Sequence, residues 1–512
     1  MIKRALISVH DKSGLDEFAQ GLVDLGVEIV SSGGTSAYLE EMGVPTTRIE
    51  EITQVPELLG GRVKTLHPRI HAAILARRDR ADDRDELEDH DIEPFDLVCV
   101  NLYPFEDVVA RRAVGEQDAV EMIDIGGPAM LRAAAKNFAH VAPVAKPERY
   151  DEILVELRAR RELSLETRRR LAAETFALTA AYEAAIANWF TAPEAFPEAF
   201  MPGFRKEFEL AYGENPHQRA AFYSERGARL HLLSMVEQRH GRELSFNNLN
   251  DLSAARLVAR DFELPACVIV KHANPCGVAV AGSIEQAYER ALAADPLSAY
   301  GGVVVLNRPV SEALGEKLAQ QFVEVLLAPD YDGTALELLK RKPATRILQD
   351  SERRLSNPGE RDYKRVLGGL LVQERDSDIE DRDGMEVVCG APTEMAWGDL
   401  LFAWRVCKHV SSNAIVLVRD LRTIGIGAGQ MSRVDAVRLA LEKAREHDHE
   451  LAGAVLASDA FFPFADGPQL ALGAGVSGFI QPGGSKRDGE VIEAVERAGA
   501  TMVFTGRRHF RH

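Results

Sequence analysis

Ala5-Leu6-Ile7-Ser8-Val9 leads into His10-Asp11-Lys12-Ser13-Gly14, and Val27-Glu28-Ile29-Val30-Ser31-Ser32 leads into Gly33-Gly34-Thr35; these two stretches decide the fold class of the first part of the chain. Each is an apolar, partly β-branched run that stops at a small polar or glycine turn. A helical pattern then follows, from Ser13 in the first case and after Gly34 in the second. A third run, Phe95-Asp96-Leu97-Val98-Cys99-Val100, ends in Asn101-Leu102-Tyr103-Pro104-Phe105, and helix-forming sequence continues to Trp189. Strands alternating with helices are the pattern of βαβ units, which predicts an α/β domain with a mostly parallel sheet covered by helices.

Between Thr191 and Phe204 the sequence TAPEAFPEAFMPGF gathers three prolines and a glycine where periodicity lapses, which places a linker there. Beyond it CVIVKHA, GGVVVLN, AIVLVRD, GAVLASD and GFIQP read as buried strands, each beside a helix-like segment. The second region is therefore also α/β, long enough for two lobes. The charge-dense stretch ERDSDIEDRDG reads as a solvated loop separating those lobes. No short fixed period recurs, which argues against solenoids and propellers.

The 512 residues correspond to about three domain-sized units rather than one core. Hydrophobic residues at 46% and charged residues at 27% are ordinary globular values, which excludes a largely disordered chain. The 61 Lys and Arg against 79 Asp and Glu leave a net charge of −18, so an anionic ligand has to be held by local donors, and long nucleic acid is not expected as a partner. No uncharged apolar run nears the roughly 20 residues of a membrane helix. The N-terminus lacks the pattern of an export signal, so a cytoplasmic protein is expected. Five scattered cysteines without a C-x-x-C pair support neither a disulfide framework nor a zinc ribbon.

Three turns share one design: Ser8 to Gly14, Ser31 to Thr35, and Asp124-Ile125-Gly126-Gly127-Pro128. Such turns present backbone N–H groups at a helix N-terminus, where dipole and unpaired donors favour phosphate. One alone is a tight turn as readily as an anion site; several on one open sheet converge on one crevice. Between them, Gly60-Gly61-Arg62-Val63-Lys64-Thr65-Leu66-His67-Pro68 supplies cations and a hydroxyl, although an exposed basic loop would look the same. Asn101, Tyr103, Asp124 and Lys136 add groups that polarise a carbonyl and move protons without a metal. In the second region a buried strand ends in Lys271-His272-Ala273-Asn274-Pro275, and strand exits are where α/β enzymes place reactive groups. Histidine titrates near neutrality and serves as a general base, while a lone histidine is more often structural. The Gly425-Ile426-Gly427-Ala428-Gly429 run fits neither a Walker A loop nor the dinucleotide fingerprint, which disfavours ATP and NAD. No spacing of metal ligands emerges, and no metal is predicted.

Taken together, SVHDKSGL, SSGGT, GRVKTLHP, NLYPF, IDIGGPAMLRAAAKN, YGENPHQ, VKHANPCG, IGIGAGQMSR and AFFPFAD strongly resemble the bifunctional purine biosynthesis family that joins phosphoribosylaminoimidazolecarboxamide (AICAR) formyltransferase to inosine monophosphate (IMP) cyclohydrolase. The resemblance covers nearly the whole chain, in order. It implies a methylglyoxal-synthase-like cyclohydrolase domain at residues 1–197 and, at 198–512, a transformylase region of two cytidine-deaminase-like lobes, a duplicated α/β fold without the zinc signature. Formyl transfer from 10-formyltetrahydrofolate to AICAR would give formyl-AICAR (FAICAR), which closes to IMP with loss of water. Neither step uses NAD or ATP.

By the same resemblance, Lys64, Tyr103, Asp124 and Lys136 match the catalytic group of the cyclohydrolase. His10, Asp11, Lys12, Ser32, Gly33, Gly34, Thr35, Arg62, Val63, Thr65, Val100, Asn101 and Ile125 match its nucleotide contacts. Lys271, His272 and Asn413 would serve the transfer, with Tyr212, Gly301, Glu324, Arg508 and Phe510 on the AICAR side. Arg433, Phe461, Asp466 and Ser485 fall on the folate side, where a pterin can stack on Phe461. Family members are homodimers. One departure stands out: Ala211 precedes Tyr212 where the family carries a phosphate-gripping arginine, and Arg205 and Lys206 are the nearby cations. Two rival readings remain, a chain retaining one activity and a sensor that binds purine ribonucleotides without turnover; an NAD-dependent oxidoreductase is a remote third.

Overall fold

The computed structural model describes residues 1–109, 114–192, 194–226, 233, 236–351, 360–378 and 381–512. The chain divides into two compact units, one over Met1–Arg205 with a short piece from Glu225, the other over most of the remainder to His512.

The first unit is built on five parallel strands in the order Thr47–Arg48, Glu28–Ser31, Arg4–Ser8, Leu97–Val100, Ala142–Val144. Side chains alternate across the central strand. Ile7 joins Phe18 and Leu22 of the helix Leu15–Asp24 on one face, and Leu6 joins Ile70, Met130 and Leu131 of the helices Pro68–Leu75 and Gly126–Lys136 on the other. Both side chains are 0% exposed, which explains why the run reads as continuously apolar rather than alternating. The strand order reverses direction at Arg4–Ser8, and the crevice of such a sheet lies at the strand C-termini beside that point.

The second unit holds a mixed twelve-stranded sheet whose two halves repeat one another. Outward from the centre the first half runs Asn274–Val280, Ala266–Lys271, Val303–Leu306, Val325–Ala328, Arg346–Gln349, Glu237–His240. The second runs Arg422–Gly427, Ile415–Arg419, Val455–Ser458, Gly478–Gln481, Thr501–Phe504, Glu386–Cys389. Each half pairs with the same sequence of senses: an antiparallel hairpin, an antiparallel neighbour, two parallel pairings and an antiparallel edge strand. The duplication lies in the topology, without a short period in the sequence.

The charge-dense stretch falls between the halves along the chain, while the halves themselves join in one sheet. Ala279 pairs with Arg422 across the centre, and Val278 exchanges hydrogen bonds with the Thr423 hydroxyl. The 14-residue helices Phe246–Ala259 and Glu394–Cys407 share a single core on one face of the sheet, with Val278, Val280, Val416 and Val418 beneath them. Residues 379 and 380 of the charged stretch lie outside the described residues; most of its described part is exposed, as a solvated loop should be, and is tethered as well, since Asp376 bonds His509, Asp378 pairs with Arg507, and the Asp378 carbonyl accepts Lys408 Nζ at 2.9 Å.

The glycine run has a packing cause. A Cβ on Gly427 would stand 2.0 Å from the Ala436 carbonyl oxygen, and one on Gly425 2.2 Å from that of Ala440, so the strand and the helix Arg433–Glu446 touch backbone to backbone. Gly277 and the Ala291 carbonyl repeat the contact at 2.0 Å in the first half.

Candidate active sites

In the first unit the turns after three neighbouring strands enclose a cavity of about 640 Å³. Its walls include Lys64, Tyr103 and Asp124, together with His10, Lys12, Ser32, Gly34, Thr35, Arg62, Thr65, Val100, Asn101 and Ile125. The helices Gly33–Glu41 and Gly126–Lys136 both begin on it, which directs two positive dipole ends toward one volume.

Some predicted contacts organise the cavity. Asn101 Oδ1 accepts the N–H groups of His10 and Asp11 at 2.6 and 2.9 Å, and its Nδ2 donates to the Asp11 carbonyl at 2.8 Å, so its amide locks the turn after the first strand. Thr35 ties that turn to the next through both N–H and carbonyl of Val9, each at 3.0 Å. The Asp11 carboxylate faces Ser13, whose hydroxyl and N–H bonds, at 2.6 and 2.9 Å, hold its pKa below the ordinary value.

Asp124 and Lys64 line the same cavity and interact electrostatically. Burial raises the Asp124 pKa above the ordinary carboxylate value, while the Gly127 N–H at 2.9 Å and the charges of Lys64 and His10 pull it back in part. Gly126 and Gly127 make room: added Cβ atoms would lie 2.5 Å from Thr65 Oγ1 and 2.3 Å from Asp124 Oδ2. Gly33, at φ 47°, similarly admits Lys64, whose Nζ would lie 3.1 Å from a Cβ there. The rings of His10 and Tyr103 meet edge to face at 5.2 Å.

Two acids missed in the sequence also line this cavity. Glu57 stands 3.7 Å from Lys64 Nζ, and Glu121 pairs with Arg62, so both cations meet carboxylates before any anion arrives. No local motif marks Glu57 or Glu121; only the fold brings them in. Asp11, Gly33 and Val63 flank the cavity in sequence without lining it. Lys136 lies farther off, exposed at the last turn of the helix that starts at Gly126, ten residues and about 15 Å along its axis.

In the second unit the hairpin turn His272-Ala273 carries φ values of 53° and 59°, two successive non-glycine residues in the left-handed region. Lys271 Nζ donates to the Tyr300 carbonyl at 2.8 Å, beside Gly301, whose φ is 70°. Asn274 Nδ2 donates to the His272 carbonyl at 3.2 Å, and its Oδ1 accepts Ser411 N–H at 2.9 Å, which joins the turn to the segment holding Asn413. Ser412 and Asn413 are linked by a cis peptide.

The Asn413 amide is fully engaged: Nδ2 donates to the carbonyls of Gln430 at 2.9 Å and Met431 at 3.3 Å, and Oδ1 accepts Arg433 Nη2 at 2.7 Å. Arg433 itself is buried, bonded to Ser458 Oγ at 2.8 Å and paired with Asp459, so it stands behind Asn413 rather than on the open surface. Ser412 Oγ donates to Asp459 at 2.6 Å, and Asp459 begins the loop carrying exposed Phe461 and Asp466. Phe462 is core at 1% exposure and donates its N–H to Gln481 at 3.3 Å, next to the loop that carries Ser485. The C-terminal tail returns to this cluster: His509 N–H donates to the Asp459 carbonyl at 2.9 Å and Arg511 N–H to Ser412 Oγ at 3.1 Å. That alternation turns Arg508 and Phe510 outward, guanidinium over ring at 4.6 Å. Tyr212 accepts Phe246 N–H on its carbonyl at 3.1 Å, and Glu324 accepts Asn248 Nδ2 at 2.9 Å. Ala211 is exposed, with Lys206 paired to Glu209 at 2.8 Å. Among the described residues no group of three or more His, Cys, Asp or Glu is placed to hold a metal ion, and no helix is long and apolar enough to cross a membrane.

Residues 134–443 match the model of the AICARFT/IMPCHase bienzyme family, and residues 14–129 match the MGS-like domain. Three proteins named bifunctional purine biosynthesis protein PurH are similar over their length. That of Magnetococcus marinus is 49% identical over 534 residues, covering 100% of this chain and 99% of the relative. Those of Listeria welshimeri and Anoxybacillus flavithermus are 48% and 49% identical, each covering all of both chains.

Proposed function

Because the chain belongs to the AICARFT/IMPCHase bienzyme family, we propose that its two constellations divide the family's two reactions between them, ring closure in the cavity of the first unit and formyl transfer at the turn cluster of the second. The enzyme carries out the last two steps of IMP synthesis: a formyl group passes from 10-formyltetrahydrofolate to the 5-amino group of AICAR, and FAICAR then closes to IMP with loss of water. Neither step draws on NAD, ATP or a metal ion. The observation that supports the division is that Lys64, Tyr103 and Asp124 line one cavity, while His272 and Asn413 are tied together in the other unit.

In ring closure the carboxamide nitrogen of FAICAR attacks the formyl carbon, whose oxygen gains negative charge and leaves as water. Lys64 and Tyr103 supply donors for that oxygen; Asp124, given a raised proton affinity by burial, takes the amide proton and passes it to the oxygen to give the carbinolamine, and the formamido N–H then yields the second proton as the C–O bond breaks and the ring C=N forms. The phosphate belongs at the helix start Gly33–Glu41, with Lys12 and Arg62 near it. Binding there exchanges the Glu57 and Glu121 partners of Lys64 and Arg62 for substrate oxygens.

In formyl transfer the AICAR amine is a weak nucleophile because its lone pair is delocalised into the ring, so orientation and proton removal dominate. His272 takes the amine proton as the new C–N bond forms and returns it to N10 of tetrahydrofolate as the N10–formyl bond breaks. Lys271, fixed by the Tyr300 carbonyl, sets a positive charge beside the developing oxyanion. Asn413 Nδ2 reaches the formyl oxygen by exchanging its longer bond, the 3.3 Å contact to Met431. Arg433 holds Asn413 in place, and Phe461, Asp466 and Ser485 offer the folate side. Tyr212, Gly301, Glu324, Arg508 and Phe510 offer the ribonucleotide side. A homodimer in the cytoplasm completes the reading; five free cysteines, four of them buried, suit a reducing compartment.

The test is a coupled assay with AICAR and 10-formyltetrahydrofolate that follows tetrahydrofolate and IMP separately. His272→Ala should abolish tetrahydrofolate release, and Lys64→Ala should accumulate FAICAR. A ribonucleotide that binds without either product would reject the enzyme reading in favour of a sensor.

A further inference from the structure

One helix touches several parts of the transfer cluster in the first half of the second unit. The helix Phe246–Ala259 is capped by Ser245, whose hydroxyl accepts Asn248 N–H at 3.2 Å while Asn248 Oδ1 accepts Ser245 N–H at 3.1 Å. Its first N–H, of Phe246, holds the Tyr212 carbonyl at 3.1 Å, and Asn247 Nδ2 holds the Glu214 carbonyl at 3.1 Å. One residue on, Asn248 Nδ2 reaches Glu324 at 2.9 Å. A turn later, Asp251 Oδ1 accepts at 2.7 Å the N–H of Ala273, in the peptide that joins it to His272.

The last contact bears on a strained turn. Left-handed φ at two successive non-glycine residues is costly and persists only where surroundings over-determine it. The second half repeats the device without the histidine: Asp399, at the same sixth position of the helix Glu394–Cys407, accepts the N–H groups of Asp420 and Leu421 at 2.9 and 2.6 Å, and those residues have φ 54° and 56°. The strand directions send the Asp420-Leu421 turn to the opposite end of the central strands from His272 and Asn413.

We propose that Asp251 is the positioning residue for the transfer reaction, holding the His272-Ala273 turn in its left-handed form so that the imidazole meets the substrate amine, and that Asp399 is its structural counterpart without a catalytic duty. This rests on the assignment of His272 to the transfer. Asp251 touches no reacting atom; it acts through the backbone of His272.

The molecule contains its own control. Asp251→Ala and Asp399→Ala remove equivalent turn clamps and should lower thermal stability alike. Only Asp251→Ala should lower transformylase kcat, by about 100-fold, the effect of displacing a reacting group by about 1 Å. KM for 10-formyltetrahydrofolate and cyclisation of supplied FAICAR should stay within about twofold of wild type. Asp251→Asn keeps an acceptor oxygen and should restore kcat to within about fivefold of wild type; it also carries the test where the alanine variant does not accumulate. Equal kcat losses in the two alanine variants, full activity in Asp251→Ala with only its stability shifted, or a kcat loss in Asp251→Asn as large as that expected for Asp251→Ala would overturn the proposal. His272→Ala is assayed alongside. If it keeps transformylase activity the assignment of His272 fails first; if it is inactive while Asp251→Ala turns over normally, only the positioning role fails.

Discussion

Gly127→Ala puts a single methyl group against the proposed centre of ring closure. The added Cβ would lie 2.3 Å from Asp124 Oδ2, 3.0 Å from its Cγ and 3.1 Å from Leu102 Cδ2. Ordinary contact begins near 3.4 Å, so the carboxylate has to withdraw by roughly 1 Å, out of its bond with the Gly127 N–H. A displacement of about 1 Å in a reacting group costs about 100-fold in rate, close to 2.7 kcal/mol of transition-state stabilisation. Stability should barely move. Alanine is worth about 0.5–1 kcal/mol over glycine in a helix, which offsets most of the roughly 1 kcal/mol lost with the Asp124 cap. The assay is conversion of synthetic FAICAR to IMP, run beside tetrahydrofolate release and a thermal melt. Cyclisation within about twofold of wild type would refute the placement of Asp124 at the reaction centre.

Other consequences are equally direct. His409 is fully buried, and burial pushes its pKa down to about 4 from 6.5; it stays neutral and donates Nε2–H to Asp261 at 2.7 Å, with the Lys408 ammonium 3.0 Å from the same carboxylate. Its folded pKa lies below the unfolded one, so the stability it contributes is complete above pH 6.5 and falls as the pH drops toward 4, by roughly 3 kcal/mol in all; melts of wild type and His409→Gln across that window should show the slope in the former only. Lys136 does not line the cavity of its own chain, and we propose that it serves ring closure from a neighbouring copy. Lys136→Ala and Lys64→Ala, each inactive alone, should regain about a quarter of wild-type cyclisation when refolded together as mixed dimers, and mixed dimers without activity would rule out the shared site. Ala211→Arg should lower transformylase KM for AICAR, and an unchanged or raised value would show that the position makes no phosphate contact.

The α/β class, the parallel sheet of the first unit and the anion-binding turns were determined by local sequence, because a strand buried on both faces has to be continuously apolar and its exit has to be small or polar. SSGGT and DIGGP announce their roles through glycine, whose missing Cβ admits Lys64 and Asp124. The resemblance of motifs likewise named the reactions and most of the residues that line the cavity. Tertiary structure decided the rest. Glu57 and Glu121 reach Lys64 and Arg62 only because distant segments fold onto one crevice, and nothing in their neighbours marks them. Lys136 follows Asp124 closely in sequence, yet helical rise carries it to the far end of its helix. Arg433 matches a folate-side position and is buried against Asp459, a pairing between segments that the sequence separates. The charged stretch reads as solvent-facing and is exposed, but its ties to Lys408, Arg507 and His509 are invisible in the sequence because those partners are elsewhere in the chain. The duplication and the matched aspartates Asp251 and Asp399 are carried by strand order and backbone conformation, which different side chains satisfy equally well; residue identity alone therefore shows neither.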